Sequence, residues 1–317
     1  MQIIKSSSAE NSILYKTNKK ILDACFLTDC EKEFINSMVL RLKPKKVLEI
    51  GVAAGGSSGI ILNAIKENGN NAQLYSVDFS TEYCQDSSKL SGFATIDNAS
   101  EDLKKNWHLY TGNFVSEFLV QIGDGIDFAF IDTLHWNPGE IIDFLMILPF
   151  LKKNATILFH DINLHMNTNS IEMVTNCLLM SAIKGEKILP SRTLREFINI
   201  GGVTLDKDIK NNLWDIFNCL NMPWSYLPSI QQSKIIENAL NKYYDKYLCA
   251  IYNQLYDYYR KSNLLNNYSP ADKRYAQKCY IIAAEDIKKY KKHPQDSIVR
   301  GIKNIKRFGK FIKIINS

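Results

Sequence analysis

Five short apolar runs between residues 45 and 161 alternate with segments of helical periodicity, and this alternation constrains the fold of the 317-residue chain most strongly. The runs are Lys46–Ile50, Gln73–Asp78, the residues around 109–110, 127–131 and 155–159. Strands that alternate with helices of about ten residues form a mostly parallel sheet covered by helices on both faces. The last run, ATILF, is apolar throughout, which is typical of a strand buried on both sides. The sequence therefore predicts an α/β fold with a doubly wound sheet.

Helical patterns precede and follow these strands along the sequence. Apolar residues such as Ile21, Leu22 and Cys25 recur at helical spacing before Pro44 breaks the pattern. The far end of the chain is also helical in pattern and is rich in tyrosine. We predict a helical N-terminal segment at 1–42, a Rossmann-like domain at 43–230 and a helical C-terminal extension at 231–317.

The first strand ends in a glycine-rich turn, residues 51–56 (GVAAGG), followed by a helix start. In doubly wound sheets, ligands bind beyond the carboxyl ends of the strands. Gly51 and Gly55 let the backbone approach a ligand closely, and the helix start offers free N–H groups. Ser57 and Ser58 are additional candidate donors. This turn is the predicted cofactor site.

Asp78 ends the second strand, where its carboxylate can accept both hydroxyls of a ribose. A nicotinamide-binding fold uses the same device, but its fingerprint is Gly-x-Gly-x-x-Gly. Here Ala53 replaces the glycine that admits a pyrophosphate, and Glu49 beside the turn disfavours phosphate. An acid at that position suits a sulfonium ligand, so S-adenosylmethionine is favoured over a nicotinamide cofactor.

Acids and histidines follow the fourth and fifth strands. Asp132 and His135 come after the fourth strand, and His160 and Asp161 after the fifth. Methyl transfer to a hydroxyl requires alignment of donor and acceptor and removal of the hydroxyl proton. A neutral histidine can act as the base, or a divalent cation can lower the hydroxyl pKa. We predict His135, Asp132 and His160 as catalytic residues.

Four motifs together resemble class I S-adenosylmethionine-dependent methyltransferases: VLEIGVAAGGSS, LYSVD, DFAFIDTLHW and ATILFHDIN. They are most similar to bacterial sugar and small-molecule O-methyltransferases, related to macrocin-type and catechol-type enzymes and to cephalosporin-hydroxylase-like proteins. The resemblance covers about residues 45–165.

The resemblance implies a role for each matching position. Gly51 and Gly55, with Ala53 between them, would line the methionine part of the cofactor, and Glu49 would support the turn. Asp78 would bind the ribose, and Asp132 would lie beside the transferred methyl group. The residues expected near the adenine are Gly112 and Asn113.

Metal-dependent relatives take one ligand after the fourth strand and an adjacent acid pair, or an acid–amide pair, after the fifth. The matching residues here are Asp132, His160 and Asp161, with Mg²⁺ or Mn²⁺ as the cation. Histidine in place of the first member of the pair suits Mn²⁺ better than Mg²⁺. The long connection at 80–98 is a candidate lid or binding element. Its candidate substrate contacts are Tyr83, Lys89 and Phe93.

The net charge of +6 comes from the end of the chain, since residues 288–313 hold ten lysines or arginines and one acid. Within it, the apolar residues of 298–315 form one stripe of a basic amphipathic helix. Such a helix can lie on an anionic membrane surface; the alternative is docking on its own protein or on a second subunit, as in a homodimer. The chain has no other basic face and no recognisable nucleic-acid-binding motif, so no nucleic-acid partner is expected.

Charged residues interrupt the first 25 positions, so no signal-peptide core forms, and the longest apolar run, near 144–151, contains Pro149. Seven cysteines without a Cys-x-x-Cys pair agree with a cytoplasmic protein.

The predicted function is transfer of a methyl group to a hydroxyl of a small acceptor, a sugar or a glycan precursor of surface polysaccharide. Two alternatives stay open: a nicotinamide-dependent oxidoreductase, and a non-catalytic partner module of a glycan-synthesis enzyme.

Overall fold

The computed structural model describes residues 1–170, 173–191 and 198–261. Its strands, in chain order, are β1 (Gln2–Ile4), β2 (Lys46–Ile50), β3 (Gln73–Asp78), β4 (Glu82–Tyr83), β5 (Asp86–Leu90), β6 (Trp107–Thr111), β7 (Ile126–Ile131), β8 (Leu151–His160), β9 (Gly185–Pro190) and β10 (Ile200–Leu205). Its α-helices are α1 (Ser8–Leu14), α2 (Lys19–Asp23), α3 (Asp29–Leu42), α4 (Gly56–Asn68), α5 (Phe93–Asn98), α6 (Glu101–Lys104), α7 (Leu119–Ile122), α8 (Gly139–Ile147), α9 (Leu164–Thr168), α10 (Thr175–Ala182), α11 (Leu213–Asn218), α12 (Ile230–Tyr243) and α13 (Lys246–Lys261).

Eight strands form the central sheet in the order β1-β9-β10-β8-β7-β2-β3-β6. Five neighbouring strands are mutually parallel: β8, β7, β2, β3 and β6. Strand β10 runs antiparallel to both of its neighbours, β8 and β9. The sheet is therefore mostly parallel and doubly wound, and the predicted fold class is confirmed. All five predicted strands are present, and β8 begins four residues earlier than the apolar run alone indicates.

This topology places the ends of several strands at one edge of the sheet. The carboxyl ends of β2, β3, β6, β7 and β8 lie along one side of the sheet because these strands are parallel. The reversed strand β10 begins on the same side, since Ile200 pairs with His160. The strand order reverses around β2, whose neighbours are β3 and β7, so the switch point lies beside the glycine turn.

Side chains alternate between two cores, one on each face of the sheet. Val47 packs toward α3 and α4, whereas Leu48 packs toward α8 and the C-terminal helices. Strand β7 is buried along almost its whole length, as expected for a central strand covered on both faces. Helices α12 and α13 belong to this second core through Ile236 and Tyr252, which are fully buried.

Two regions contain secondary structure that the sequence did not predict. The N-terminal segment, expected to be helical throughout, begins with β1, which pairs in parallel with β9 and extends the sheet. The connection at 80–98 contains the β4–β5 hairpin and α5. The predicted amphipathic helix at 298–315 lies outside the described residues. None of the helices within the described ranges has the length and apolarity that a membrane crossing requires.

Candidate active site at the carboxyl edge of the sheet

The glycine turn after β2 is held in a conformation that favours glycine. Gly51 and Gly55 have φ of +89° and +88°, and Ala53 has φ of +47°. Gly51 donates its N–H to the carbonyl of Val77 at 2.8 Å. A Cβ at Gly51 would lie 1.8 Å from the carbonyl oxygen of Asp132, so no side chain fits there. The turn therefore brings the ends of β2, β3 and β7 into direct contact.

Glu49 lies beneath this turn and is fully buried. Its carboxyl group accepts hydrogen bonds from the hydroxyls of Ser57, Ser58 and Ser76 at 2.5, 2.6 and 2.5 Å. Burial raises the pKa of Glu49 to about 7, although the three serine donors oppose the rise. Glu49 thus supports the turn from below. Ser57 and Ser58, expected to donate to the cofactor, donate to Glu49 in this structure.

Asp78 fixes the turn from the side. One of its carboxylate oxygens accepts from the amides of Val52 and Ala53, both at 2.9 Å, and the other accepts from the amide of Ser80 at 2.8 Å. A carboxylate can accept about four hydrogen bonds, so one position remains for a ligand. Asp78 has a structural role here, and in this arrangement it has room for one ribose hydroxyl rather than the predicted two.

The predicted adenine end lies beyond β3 and β6. Gly112 has φ of +93° and donates its N–H to the carbonyl of Asp78, while the side chain of Asn113 accepts from the amide of Phe114. The rings of Phe79 and Phe114 lie 5.0 Å apart at this end. The sequence interpretation missed this aromatic pair, although each phenylalanine follows a strand end directly or closely.

The segment after Asp78 packs onto the glycine turn. Gly92 and Ala94 donate backbone N–H groups to the carbonyls of Ala53 and Ala54, at 2.8 and 2.9 Å. The Thr95 hydroxyl donates to the carbonyl of Gly55 at 2.6 Å. These bonds satisfy the outer carbonyls of the turn and fix α5 against it.

Aromatic rings from this segment form a small cluster. The ring of Tyr83 lies 5.2 Å from that of Phe93 and 6.2 Å from that of Phe26, in the loop before α3. The amine of Lys89 lies 4.7 Å from the centre of the Phe93 ring. The three predicted substrate contacts are therefore neighbours, and Phe26 joins them.

Asp132, His135 and Asp161 come together at the other end of the edge. One potential ligand atom from each lies within 4.8 Å of the other two. Nε2 of His135 is 3.0 Å from Oδ2 of Asp161, and its Nδ1 is 3.2 Å from Oε1 of Glu140. Glu140, at the start of α8, is almost fully buried.

His160 lies next to this group but is not part of it. Its Nδ1 is 3.2 Å from Oδ1 of Asp132 and 3.3 Å from Oδ2 of Asp161, and its Nε2 is 3.3 Å from Oε1 of Glu31. Both ring nitrogens thus face carboxylates. The predicted metal set of Asp132, His160 and Asp161 stays a prediction, and His135 is a further candidate ligand beside the same two aspartates.

The backbone at Asp161 contributes to this arrangement. Asp161 has φ of +55°, a left-handed conformation that turns its side chain back toward the edge. The side-chain amide of Asn199, just before β10, donates to Oδ1 of Asp161, and that of Asn176 donates to the carbonyl of His160 at 2.7 Å. Packing from the reversed strand and from α10 therefore sets which side chains converge.

The neighbouring carboxylates raise the pKa values of both histidines. Burial lowers the pKa of His135, but the hydrogen bond to Glu140 and the charge of Asp161 outweigh burial and raise the pKa to about 9. The pKa of His160 is likewise raised well above its usual value, because Asp132, Asp161 and Glu31 outweigh burial. In this state His135 holds a proton at neutral pH. A base role requires a neighbouring cation that favours its neutral form.

The charge and donor types of the cluster fit a divalent cation. Four carboxyl groups, from Glu31, Asp132, Glu140 and Asp161, surround two imidazoles. Within the described part of the chain, none of the four pairs with a lysine or arginine. Two carboxylates and one imidazole suit Mn²⁺ better than Mg²⁺, which prefers oxygen ligands alone.

Glu31, Glu140 and Asn199 were missed by the sequence interpretation. Thr28 and Glu31 form a capping-box pattern that does mark the start of α3, and the pattern is present in the structure. It does not show that Glu31 also reaches the carboxyl edge, because that contact joins segments distant in the sequence.

The fold is a doubly wound α/β sheet, and its glycine turn lies at the edge where such sheets bind ligands. Residues 48–162 match the family model described as a methyltransferase domain. The chain therefore contains a methyltransferase domain, and the activity that this domain indicates is methyl transfer from S-adenosylmethionine. The assignment favours methyl transfer over the nicotinamide alternative.

Solved structures with a related fold include two O-methyltransferases. One, from Bacillus cereus in complex with SAH, is 15% identical, with 62% of this chain and 91% of that chain covered and a TM-score of 0.43. The other, TomG from Streptomyces achromogenes in complex with SAM, is 11% identical, with 64% and 92% covered and a TM-score of 0.43. None of the curated proteins matches the sequence at a significant level.

Proposed function

We propose that the protein transfers the methyl group of S-adenosylmethionine to a hydroxyl of a small acceptor, assisted by a divalent cation. The observation that carries this proposal is the convergence of Asp132, His135 and Asp161 within 4.8 Å, next to the glycine turn. Asp132 links the two halves of the site, because its carbonyl oxygen lies against Gly51.

The residues at the carboxyl edge of the sheet have different roles in the proposed methyl transfer. A bound cation would hold acceptor oxygens and lower the hydroxyl pKa. The turn from Gly51 to Gly55, supported by Glu49 and Asp78, positions the methyl donor. Asp132 and Asp161 serve as ligands. His135 is either the third ligand or, in its neutral form, the group that takes the acceptor proton, with Glu140 stabilising the charge gained.

The acceptor class we propose is a sugar or a glycan precursor of surface polysaccharide. Two carboxylate ligands leave open coordination positions that suit a pair of adjacent oxygens, and sugars carry such vicinal hydroxyls. The aromatic cluster of Phe26, Tyr83 and Phe93 supports the proposal, since aromatic rings can pack against the apolar face of a sugar ring. The motif resemblance to sugar O-methyltransferases points in the same direction.

Calorimetry and a methyl-transfer assay test the proposal. We expect S-adenosylhomocysteine to bind and NAD to give no signal; binding of NAD alone would refute the methyltransferase function. With labelled S-adenosylmethionine and a panel of sugars, Asp132→Asn should abolish transfer, whereas Asp127→Asn, at the opposite end of β7, should not. Binding of the cofactor product without transfer to any acceptor would favour the non-catalytic alternative.

Removing the cation tests whether methyl transfer needs it, and a His135 variant distinguishes a ligand role from a base role. Treatment with EDTA should stop transfer and Mn²⁺ should restore it; activity that survives exhaustive chelation contradicts a cation. His135→Gln should lose transfer in either role. If His135 is a ligand, the variant also binds Mn²⁺ more weakly, whereas a pure base role leaves Mn²⁺ binding unchanged.

The basic tail supports a separate proposal of peripheral membrane contact. It rests on the sequence of 288–317, which carries ten lysines or arginines and the apolar stripe. Removing these residues should abolish association with anionic liposomes, and unchanged association would refute the contact. If the tail docks on a second subunit instead, the same truncation should convert a dimer to a monomer.

A further inference from the structure

Glu31 is the one acidic side chain from the N-terminal helices that contacts the charged cluster within the described residues. It lies on α3 and is 4% exposed, and its Oε1 is 3.3 Å from Nε2 of His160. Nε2 of His160 is buried, and among the described residues Oε1 of Glu31 is the polar atom that lies next to it. Burying a carboxyl group beside an imidazole contributes little to stability. Glu31 is therefore a candidate for a functional role.

The two oxygens of Glu31 have different partners. Oε2 accepts the backbone N–H of Thr28 at 2.7 Å and completes the capping box of α3. Oε1 points away from the helix, toward His160. Capping alone does not need a carboxylate at this position, because Gln232 performs the same task for Ser229 at the start of α12. The charge of Glu31 is therefore available for a second purpose.

His160 transmits this contact to the proposed metal ligands. Its opposite ring nitrogen lies between Oδ1 of Asp132 and Oδ2 of Asp161, at 3.2 and 3.3 Å. The imidazole thus connects α3 with the two carboxylates. Groups that orient ligating carboxylates from behind commonly change metal affinity by about 10- to 100-fold when they are altered.

We propose that Glu31 is a positioning residue for the cation site: it fixes the His160 ring, which in turn holds Asp132 and Asp161 at the correct separation. The N-terminal segment is then a component of the active site as well as a cover for the sheet. This inference rests on the proposed cation-assisted function. It assigns His160 an orienting role in place of ligation.

Mn²⁺ binding to the full chain, measured by electron paramagnetic resonance, provides the test. Glu31→Gln keeps the cap and removes the charge, and we expect Mn²⁺ affinity to fall at least about 10-fold. Thr28→Ala, the matched control, weakens the same capping box without touching His160 and should leave Mn²⁺ affinity unchanged. Thermal unfolding of each variant verifies that the fold is intact.

A double-mutant cycle tests whether Glu31 acts through His160. His160→Asn keeps a donor near the position of Nδ1 and deletes the atom that faces Glu31, so it should weaken Mn²⁺ binding to a similar degree. Adding Glu31→Gln to it should cause no further loss. Unchanged affinity in Glu31→Gln, or equal losses in both backgrounds, overturns the positioning role. Wild-type protein that binds no Mn²⁺ instead refutes the cation in the proposed function.

Discussion

Glu49 is a buried acid whose hydrogen-bond partners are three serine hydroxyls. Its carboxyl group has a pKa of about 7 in the folded protein, because burial penalises the charged form, against 4.5 for an ordinary glutamate. The folded state therefore holds the proton more tightly than the unfolded state. The free energy of unfolding must decrease as the pH rises from about 4.5 to about 7.

Glu49→Gln should remove this pH dependence. At about 1.4 kcal/mol per pKa unit, the contribution amounts to about 3 kcal/mol across the window. Denaturant unfolding between pH 4 and 8 should give a flatter profile for the variant than for the wild type. The exposed Glu117→Gln is the control and should follow the wild type. Identical slopes for Glu49→Gln and wild type would show that Glu49 is already ionised in the fold.

Gly51 is required for steric reasons that another glycine of the same chain does not share. Gly51→Ala places a methyl group against the carbonyl of Asp132, whereas Gly69, with φ of +62°, has open space around its Cβ position. We expect Gly51→Ala to cost about 3 kcal/mol or more and to abolish binding of S-adenosylhomocysteine. Gly69→Ala should cost about 1 kcal/mol and leave binding intact. Similar costs for the two would contradict the proposed close packing.

At the scale of elements, the loop that carries His135 is fixed by Asn137. This residue is 1% exposed, its side chain donates to the carbonyls of Met222 and Pro223, and its own carbonyl accepts from the amides of Ser225 and Tyr226. The loop after β7 is thereby attached to the segment before α12. This attachment keeps His135 facing Asp161.

Asn137→Ala should loosen that loop. The carbonyls of Met222 and Pro223 lose a donor from the buried Asn137 side chain, and we expect a loss of about 1 kcal/mol in unfolding free energy together with weaker Mn²⁺ binding. Asn221→Ala, exposed and bonded only to Asn218, is a nearby control that should change neither quantity. If Mn²⁺ affinity of Asn137→Ala equals that of the wild type, the loop does not depend on this attachment.

At the scale of the whole molecule, the C-terminal helices α12 and α13 are part of the core that supports the sheet. Tyr252 is fully buried, donates its hydroxyl to Ser233 at 3.1 Å and lies 5.8 Å from the ring of Trp224. Tyr252→Ala should cost about 3–5 kcal/mol, since it leaves a large cavity. The exposed Tyr258→Ala, on the same helix, should cost less than about 1 kcal/mol. Equal midpoints in urea would show that α13 does not contribute to this core.

The sequence predicts the parallel sheet and the strand ends well, because buried strands such as β7 and β8 are read directly from continuous apolar runs. It does not reveal β1, since three residues carry no recognisable alternation and the partner strand β9 lies near the other end of the domain. The position of His135 within the ligand group escapes prediction for a related reason. The left-handed backbone at Asp161 and the contact from Asn199 depend on tertiary packing.

The pairing of β1 with β9 sets an order for folding. Gln2 lies opposite Ile188 in a parallel register, so β1 is synthesised well before the strand with which it pairs. The entropic cost of closing a loop grows only slowly with its length. Contacts between residues far apart in the sequence, such as those between β1 and β9, nevertheless slow folding. The helix that carries Glu31 is made early as well, whereas His160 is made much later. We therefore expect the group of Asp132, His135 and Asp161 to reach its final arrangement only after the nascent chain has passed β9.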